Sequence, residues 1–189
     1  DGSTDNSREI MNKMAGSDPR IRILRNVKNL GVQISLNRGF EASNGNYIAR
    51  MDADDISLPS RLEKQLSTFY EDDSLIMVGS NAILVTDALN PVCPSLLPLD
   101  DWTIRCLYLM VNPFIHSTVM LDAREIRKHN LYYSLSVTAS IDYELWARVM
   151  KYGSVRNLSD QLVLLRKHNR SASYGSNEQT ESFVKTRNL

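Results

Sequence analysis

Residues 47–55 read YIARMDADD, a short apolar run that leads directly into three closely spaced carboxylates. The first five residues have the length and composition of a buried β-strand. Pro59, a little further on, is typical of the first turn of a helix, and apolar spacing predicts that helix over 57–70. The stretch therefore predicts a strand that ends in an acidic loop and passes into a helix, which is the repeating unit of an α/β fold.

Alternating helical and extended patterns flank this unit. Apolar residues at helical spacing predict further helices over 7–14, 32–43, 100–110, 123–129 and 140–152. Short apolar runs predict strands over 21–24, 75–78, 81–86, 116–121, 155–158 and 162–165, and the proline-rich stretch 87–99 predicts a loop. Strands that alternate with helices favour a mostly parallel sheet, with ligands bound beyond the carboxyl ends of its strands.

Composition narrows the class of protein. The 189 residues hold 22 Lys+Arg and 22 Asp+Glu, so the size fits one domain and the zero net charge argues against a nucleic-acid-binding surface. Cys93 and Cys106 fit neither a disulfide scaffold nor a zinc site, which indicates reduced thiols in a cytosolic-type compartment. The sequence has no apolar run of the ~18 residues that a membrane-spanning helix needs.

The acidic cluster that follows the strand allows two interpretations. Asp52, Asp54 and Asp55 repel each other unless a positive charge lies among them, and a divalent cation with oxygen ligands is the natural partner. A diphosphate would supply the remaining oxygens, and the metal would offset charge on a departing phosphate. Alternatively, the three aspartates only stabilise the N-terminus of the next helix. The cluster alone leaves both interpretations open.

Further segments place the cluster in a longer ordered pattern. They are 1–5 (DGSTD), 29–31 (NLG), 37–39 (NRG), 59–65 (PSRLEKQ), 112–120 (NPFIHSTVM), 141–148 (IDYELWAR) and 164–173 (LLRKHNRSAS). Together with 47–55 they resemble the inverting family 2 glycosyltransferases, and most of all the bacterial surface-polysaccharide subgroup. This resemblance implies a GT-A-like three-layer α/β/α sandwich with a mostly parallel central sheet, whose first strand would precede residue 1.

The resemblance also implies a donor site. Asp54 would ligate Mn²⁺ or Mg²⁺, and Asp52 would lie near the ribose or the metal. Asp1 matches an acidic position that contacts the nucleotide base, although it could instead be a turn residue. Arg38 would face the diphosphate, unless it is a solvated helix residue, and His168 would approach the donor phosphates from the C-terminal side.

The acceptor side is implied by the later segments. Asp142 matches the general base, which takes a proton from the acceptor hydroxyl, although it could instead only cap its helix. Many relatives carry an acidic pair here, and Ile141 occupies the first position of that pair in this chain. Glu144 is two residues further on a helix and points away from Asp142. His116 lies in the acceptor-side segment, where a structural role is an equal alternative.

The implied activity is a single displacement, with inversion, of a sugar from a UDP- or dTDP-sugar to a glycan or lipid-linked acceptor in cell-surface polysaccharide synthesis. The catalytic domain would span 1–173, with a nucleotide-sugar half over 1–86 and an acceptor half over 87–173, followed by a C-terminal extension over 174–189. Two alternatives are a sugar nucleotidyltransferase of related architecture and a catalytically incompetent fragment that binds nucleotide sugars. A cytoplasmic location is expected, and the basic group at 166–170 favours contact with the inner face of the plasma membrane.

Overall fold

A six-stranded sheet organises residues 1–166, the part of the chain that this computed structural model describes. The strands are β1 (Tyr47–Ala49), β2 (Ile56–Ser57), β3 (Leu75–Val85), β4 (Pro91–Pro94), β5 (Met120–Asp122) and β6 (Ser154–Arg166). The helices are α1 (Ser7–Ser17), α2 (Val32–Ala42), α3 (Arg61–Glu71), α4 (Asp101–Tyr108), α5 (Ala123–Lys128) and α6 (Ile141–Val149). A single 3₁₀ turn among these residues, His116–Thr118, immediately precedes β5.

The long strand β3 lies at the centre of the sheet, between β5 and β6, and nearly all of its side chains are buried. The strand order is β1-β5-β3-β6-β2, and β4 pairs with β3 beside this path. Among the described strands, the pairing of β3 with β6 is the only parallel one, and the other four pairings are antiparallel. The predicted mostly parallel sheet is therefore wrong. Short antiparallel strands need no crossover helix, so the alternation of helices and strands does not reveal their direction.

Helices cover both faces of the sheet, as the resemblance implied. Successive residues of a strand point to opposite faces, and in β5 Leu121 belongs to one apolar cluster while Met120 belongs to the other. The larger cluster includes side chains of α2, α4, α5 and α6, and the smaller one includes Phe69 of α3. The mixed α/β fold with helices on both sides of a central sheet confirms the predicted fold class.

Several elements differ from the sequence-based expectation. Residues 21–24 are exposed and form no strand: the Ile21 amide donates to the Asp18 carbonyl at 3.1 Å, and no strand within residues 1–166 pairs with them. The two strands predicted on either side of Gly79 and Ser80 are one strand, in which the Ser80 amide donates to the Thr118 hydroxyl at 3.2 Å. Similarly, β6 continues through an irregularity near 159–160, and the predicted loop 87–99 contains β4.

Candidate active site

The end of β1 carries a buried arginine that holds the first aspartate of the acidic loop. Both terminal nitrogens of Arg50 donate to the two carboxylate oxygens of Asp52. The Arg50 side chain is only 6% exposed, whereas that of Asp52 is 46% exposed. Ser117 completes the group, because its hydroxyl donates to Asp52 at 3.0 Å and accepts from the Asp52 amide at 3.1 Å. Asp52 is thus fixed from below and open to solvent above.

Two polar side chains of α3 support this strand end from beneath. The Arg61 guanidinium donates to the backbone carbonyl of Arg50 at 2.8 Å, and the Gln65 amide donates to the carbonyls of Val78 and Thr118, each at 2.8 Å. These carbonyls lie where the 3₁₀ turn interrupts the sheet, so buried backbone groups are satisfied by side chains. Burial and the neighbouring Arg50 charge lower the pKa of Arg61 to about 10, so it stays charged at neutral pH.

The other two aspartates of the loop diverge from Asp52. Asp55 is buried, and its carboxylate accepts from the Arg166 amide at 2.9 Å. Burial raises the pKa of Asp55, and the charges of Asp54 and Asp52 raise it further. The Asp54 side chain is exposed, while its backbone carbonyl accepts from the Arg166 guanidinium at 2.9 Å. Asp55 therefore ties the acidic loop to the end of β6.

A divalent cation fits this loop only as part of a larger set of ligands. Asp54 and Asp52 are hard oxygen donors, exposed and half-buried respectively, which is the chemistry that Mg²⁺ and Mn²⁺ prefer. Within residues 1–166, however, no three Asp, Glu, His or Cys side chains converge to hold an ion by themselves. Further oxygen ligands would have to come from a bound molecule, and a diphosphate supplies such oxygens.

Asp142 lies in the first turn of α6 in a desolvated environment. Its carboxylate accepts a 2.7 Å hydrogen bond from the side-chain amide of Asn112. Burial raises the pKa of Asp142, while the Tyr143 amide, the Asn112 hydrogen bond and the Arg50 charge each lower it. The structure therefore joins two of the predicted site segments, 112–120 and 141–148, at this carboxylate.

His116 faces the same region from the 3₁₀ turn. Its Nε2 is 2.7 Å from the Tyr133 hydroxyl, and its ring meets Trp146 edge-on at 5.8 Å between centroids. Burial, and then the Arg50 charge, hold the pKa of His116 well below its usual value, so the imidazole is neutral. Burial raises the pKa of Tyr133, the Arg50 charge lowers it, and the charges of Asp142 and Asp52 raise it.

Asp1 and Arg38 lie on the loop and helix before β1. The Asp1 carboxylate accepts from the Leu30 amide at 2.8 Å, from the Gly31 amide at 3.0 Å and from the Asn26 side chain at 2.8 Å, so it organises the loop that starts α2. Arg38 donates to the backbone carbonyl of Arg25 at 3.0 Å. Both contacts are structural, and the predicted contacts with base and diphosphate stay predictions.

The remaining candidates have clear positions. Glu144 is buried and paired with Arg148 through two hydrogen bonds of 2.7 and 2.8 Å, which is a structural role. Trp146 is fully buried in the larger apolar cluster. His168 lies outside the described residues.

Several residues that connect the acidic loop, the 3₁₀ turn and the first turn of α6 are not predicted from the sequence. Arg50, Ser117 and Tyr133 were not singled out, and Asn112 was noticed only as part of a motif. Arg50 stands two residues before Asp52, and a cation so close to an acidic cluster in an apolar strand was the available signal. Tyr133 carried no signal, because its partner His116 is 17 residues away and only the fold brings them together.

Known proteins of similar sequence place this chain in one family. Residues 1–89 match the sequence model of Glycosyl transferase family 2. An uncharacterised glycosyltransferase of Haemophilus influenzae is 32% identical over 98% of this chain, and the amylovoran biosynthesis glycosyltransferase AmsE of Erwinia amylovora is 36% identical over 74% of it. The chain belongs to glycosyltransferase family 2. This family 2 chain spans 60% and 52% of the lengths of those two relatives.

Solved structures show the same fold as this family 2 domain. Staphylococcus aureus TarS 1–349 in complex with UDP-GlcNAc superposes with a TM-score of 0.74 at 16% identity, over 97% of this chain and 54% of the TarS 1–349 chain. The mannosyltransferase PcManGT of Pyrobaculum calidifontis, in complex with GDP-Man and Mn²⁺, gives 0.59 at 15% identity, over 91% of this chain and 47% of that protein. The likeness establishes a GT-A-like fold.

Proposed function

We propose that this family 2 chain is the catalytic domain of an inverting glycosyltransferase, with its domain over 1–173, its nucleotide-sugar half over 1–86 and its acceptor half over 87–173. The observation that carries the proposal is the contrast between the environments of two carboxylates, Asp52 and Asp142. Asp52 is ion-paired and half-exposed, whereas Asp142 is desolvated and has a raised pKa. Two acids with such different environments suit two different tasks in one reaction.

Asp142 is the proposed general base. An inverting transfer needs one carboxylate to accept the proton of the acceptor hydroxyl while its oxygen attacks the anomeric carbon. The new bond joins that oxygen to the anomeric carbon, the bond to the diphosphate oxygen breaks, and its electron pair leaves with the nucleoside diphosphate. A raised pKa improves Asp142 for this task, because a base is most effective when its pKa approaches the working pH.

The acidic loop is the proposed donor side. We assign Asp54 and Asp52 to a Mn²⁺ or Mg²⁺ ion that, when bound, offsets the charge of the leaving diphosphate. Asp1, Arg38 and His168 are assigned to the nucleotide sugar. Complexes of fold neighbours with UDP-GlcNAc and with GDP-Man and Mn²⁺ support a nucleotide sugar and a divalent ion, and we propose a UDP- or dTDP-sugar.

The proposed acceptor is a glycan or lipid-linked glycan in cell-surface polysaccharide synthesis, with His116 on the acceptor side. The names of similar proteins support this class, since they include an amylovoran biosynthesis enzyme and a chondroitin synthase. No helix within residues 1–166 is both long enough and apolar enough to cross a bilayer. Contact with the inner face of the plasma membrane through residues 166–170 stays a prediction.

A thermal-shift panel of nucleotide sugars, each with and without Mn²⁺, tests the donor assignment. A ligand at about 100 times its dissociation constant should stabilise the protein by ~2.7 kcal/mol. We expect one nucleoside diphosphate sugar to give this shift only with the metal, and Asp54→Asn to abolish it. Asp160→Asn is the control, because Asp160 only pairs with Lys64 at the surface.

A flat response to every nucleotide sugar would contradict the donor site. Release of pyrophosphate from a nucleoside triphosphate and a sugar phosphate would instead favour a sugar nucleotidyltransferase.

A further inference from the structure

Arg50 occupies a position that its partners do not fully explain. Its guanidinium is buried, and its one carboxylate partner, Asp52, is half-exposed. Its Nε is buried and has no hydrogen-bond partner among residues 1–166. Burying a charged group with an unsatisfied donor costs stability, and such a cost is usually retained only where it serves function.

The contacts of Arg50 reach both sides of the proposed site. On the donor side it grips both oxygens of Asp52. On the other side its Nη1 donates to the Ser117 hydroxyl at 3.2 Å, and Ser117 also donates to Asp52 at 3.0 Å. These three side chains form a closed triangle that joins the end of β1 to the 3₁₀ turn.

The 3₁₀ turn carries the acceptor side. His116 is the residue before Ser117, and its ring is fixed by the Tyr133 hydroxyl. Tyr133 is fixed in turn by Asn37 of α2, whose side-chain amide exchanges two hydrogen bonds of 2.8 and 2.9 Å with the Tyr133 backbone. A displacement of Ser117 therefore moves His116 relative to Tyr133.

We propose that Arg50 is a positioning residue that locks the donor-side carboxylate Asp52 to the acceptor-side turn His116–Thr118 through Ser117, so that both substrates bind in a fixed mutual geometry. This inference rests on the proposed function. A rigid fork is required for the role, because a guanidinium bonds Asp52 bidentately and Ser117 at the same time, whereas a lysine ammonium is a single point charge. Arg50→Lys should therefore preserve the charge but lose the simultaneous hydrogen bonds to Asp52 and Ser117.

The chain offers a matched control for this arginine. Arg124 binds the aspartate two residues before it, as Arg50 binds the one two residues after it, with its Nε 3.2 Å and its Nη2 2.6 Å from the Asp122 carboxylate. The Arg124 side chain is 66% exposed and lies at the start of α5. Arg124→Gln thus removes an arginine–aspartate fork of similar spacing that is not part of the site.

Steady-state transfer by the full-length protein, with donor and acceptor varied separately, tests the proposal. We expect Arg50→Gln to raise the KM of both substrates at least threefold and Arg50→Lys to recover neither fully. Ser117→Ala should act in the same direction, and its effect should be less than additive with Arg50→Gln, since both break one triangle. Arg124→Gln should leave both KM values unchanged.

A purely structural role predicts a different result. If Arg50 only stabilised the fold, its variants would lower kcat through a smaller active fraction and leave both KM values unchanged, and that result would overturn the proposal. A rise in the donor KM alone would overturn it as well.

A readout without catalysis separates this inference from the proposed function. In the unliganded protein, Arg50→Lys, which keeps the charge that acts on His116, should still shift the ring nitrogen resonances of His116, while Arg124→Gln should not. An unchanged His116 spectrum contradicts the lock even if transfer is observed. If the wild-type protein transfers no sugar and the spectrum shifts, the proposed function fails while the lock stands.

Discussion

The side-chain amide of Asn112 donates a 2.7 Å hydrogen bond to the carboxylate of Asp142. This contact joins the segment after α4 to the first turn of α6, and it stabilises the charged form of a carboxyl that burial otherwise drives towards the neutral form. The pKa of Asp142 is thus raised by burial and lowered by this hydrogen bond, and a substitution of Asn112 removes the hydrogen bond.

Replacement of Asp142 tests its role directly. Asp142→Asn keeps the shape and an acceptor for the Asn112 amide but cannot take a proton. We expect the rate of sugar transfer to fall by about 10² to 10⁴, with nucleotide-sugar binding by calorimetry unchanged. Asp160→Asn, a surface carboxylate paired with Lys64, should keep full activity. Retained transfer in Asp142→Asn would remove this residue from the role of base.

Replacement of Asn112 should shift the pH dependence. Asn112→Ala removes a hydrogen bond that lowers the pKa of Asp142, so that pKa should rise further. The base must be ionised to act, so the acidic limb of the kcat/KM profile should move to higher pH, with near-normal rates on the alkaline side. Equal loss of rate at every pH would show that Asn112 only supports the fold.

His116 should make stability fall on acidification. Its pKa in the folded protein lies well below its ordinary value, because of burial and the Arg50 charge. Below about pH 6.5 the unfolded chain binds a proton that the folded protein does not, so the free energy of unfolding decreases as the pH falls towards the folded pKa. In urea titrations, His116→Gln should flatten this dependence. An equal slope in wild type and His116→Gln would refute the prediction.

The pairing of β3 with β6 at Gly79, opposite Asn157, leaves no room for a side chain. An added Cβ would lie 2.1 Å from the Asn157 Oδ1 and 2.9 Å from Phe114. Asn157 cannot move freely, because its amide donates to the carbonyls of Pro98 and Pro113. Gly79→Ala should therefore cost about 1–3 kcal/mol of unfolding free energy.

The matched control is Gly16→Ala in α1, where an added Cβ meets nothing within 4 Å. That substitution should be neutral or stabilising by about 0.5–1 kcal/mol, since alanine favours helix. Equal effects of the two substitutions in denaturant titrations would contradict the steric argument.

The sequence predicted the elements whose residues lie close together along the chain. The strand that enters the acidic loop and the helix that carries Asp142 follow from local periodicity, whereas the helices on both faces of the sheet were implied by the family resemblance. Strand direction did not follow, because β5 and β2 pair with segments far away in sequence. The predicted strand 21–24 failed for the same reason, since a strand depends on a neighbour that its own residues do not specify.

The site was predictable to a similar extent. Asp52, Asp54 and Asp142 stand in recognisable motifs, so their segments were identified before the fold was seen. The environment of each carboxylate was not identified. That Asp52 is bound by Ser117, that Asp55 is turned towards Arg166 and that Asp142 is bound by Asn112 depends on contacts between distant segments.

Two buried arginines lie beneath the acidic loop. Arg50 and Arg61 lie close enough to affect each other, and Asp52 and Asp55 provide the two opposing charges. Removal of any one member leaves an odd charge that the interior must carry, whereas removal of one arginine with its facing aspartate keeps the sum at zero. The loop should therefore tolerate the paired substitution of an arginine and its aspartate better than either single substitution. Its sequence should accordingly change slowly when substitutions occur one at a time.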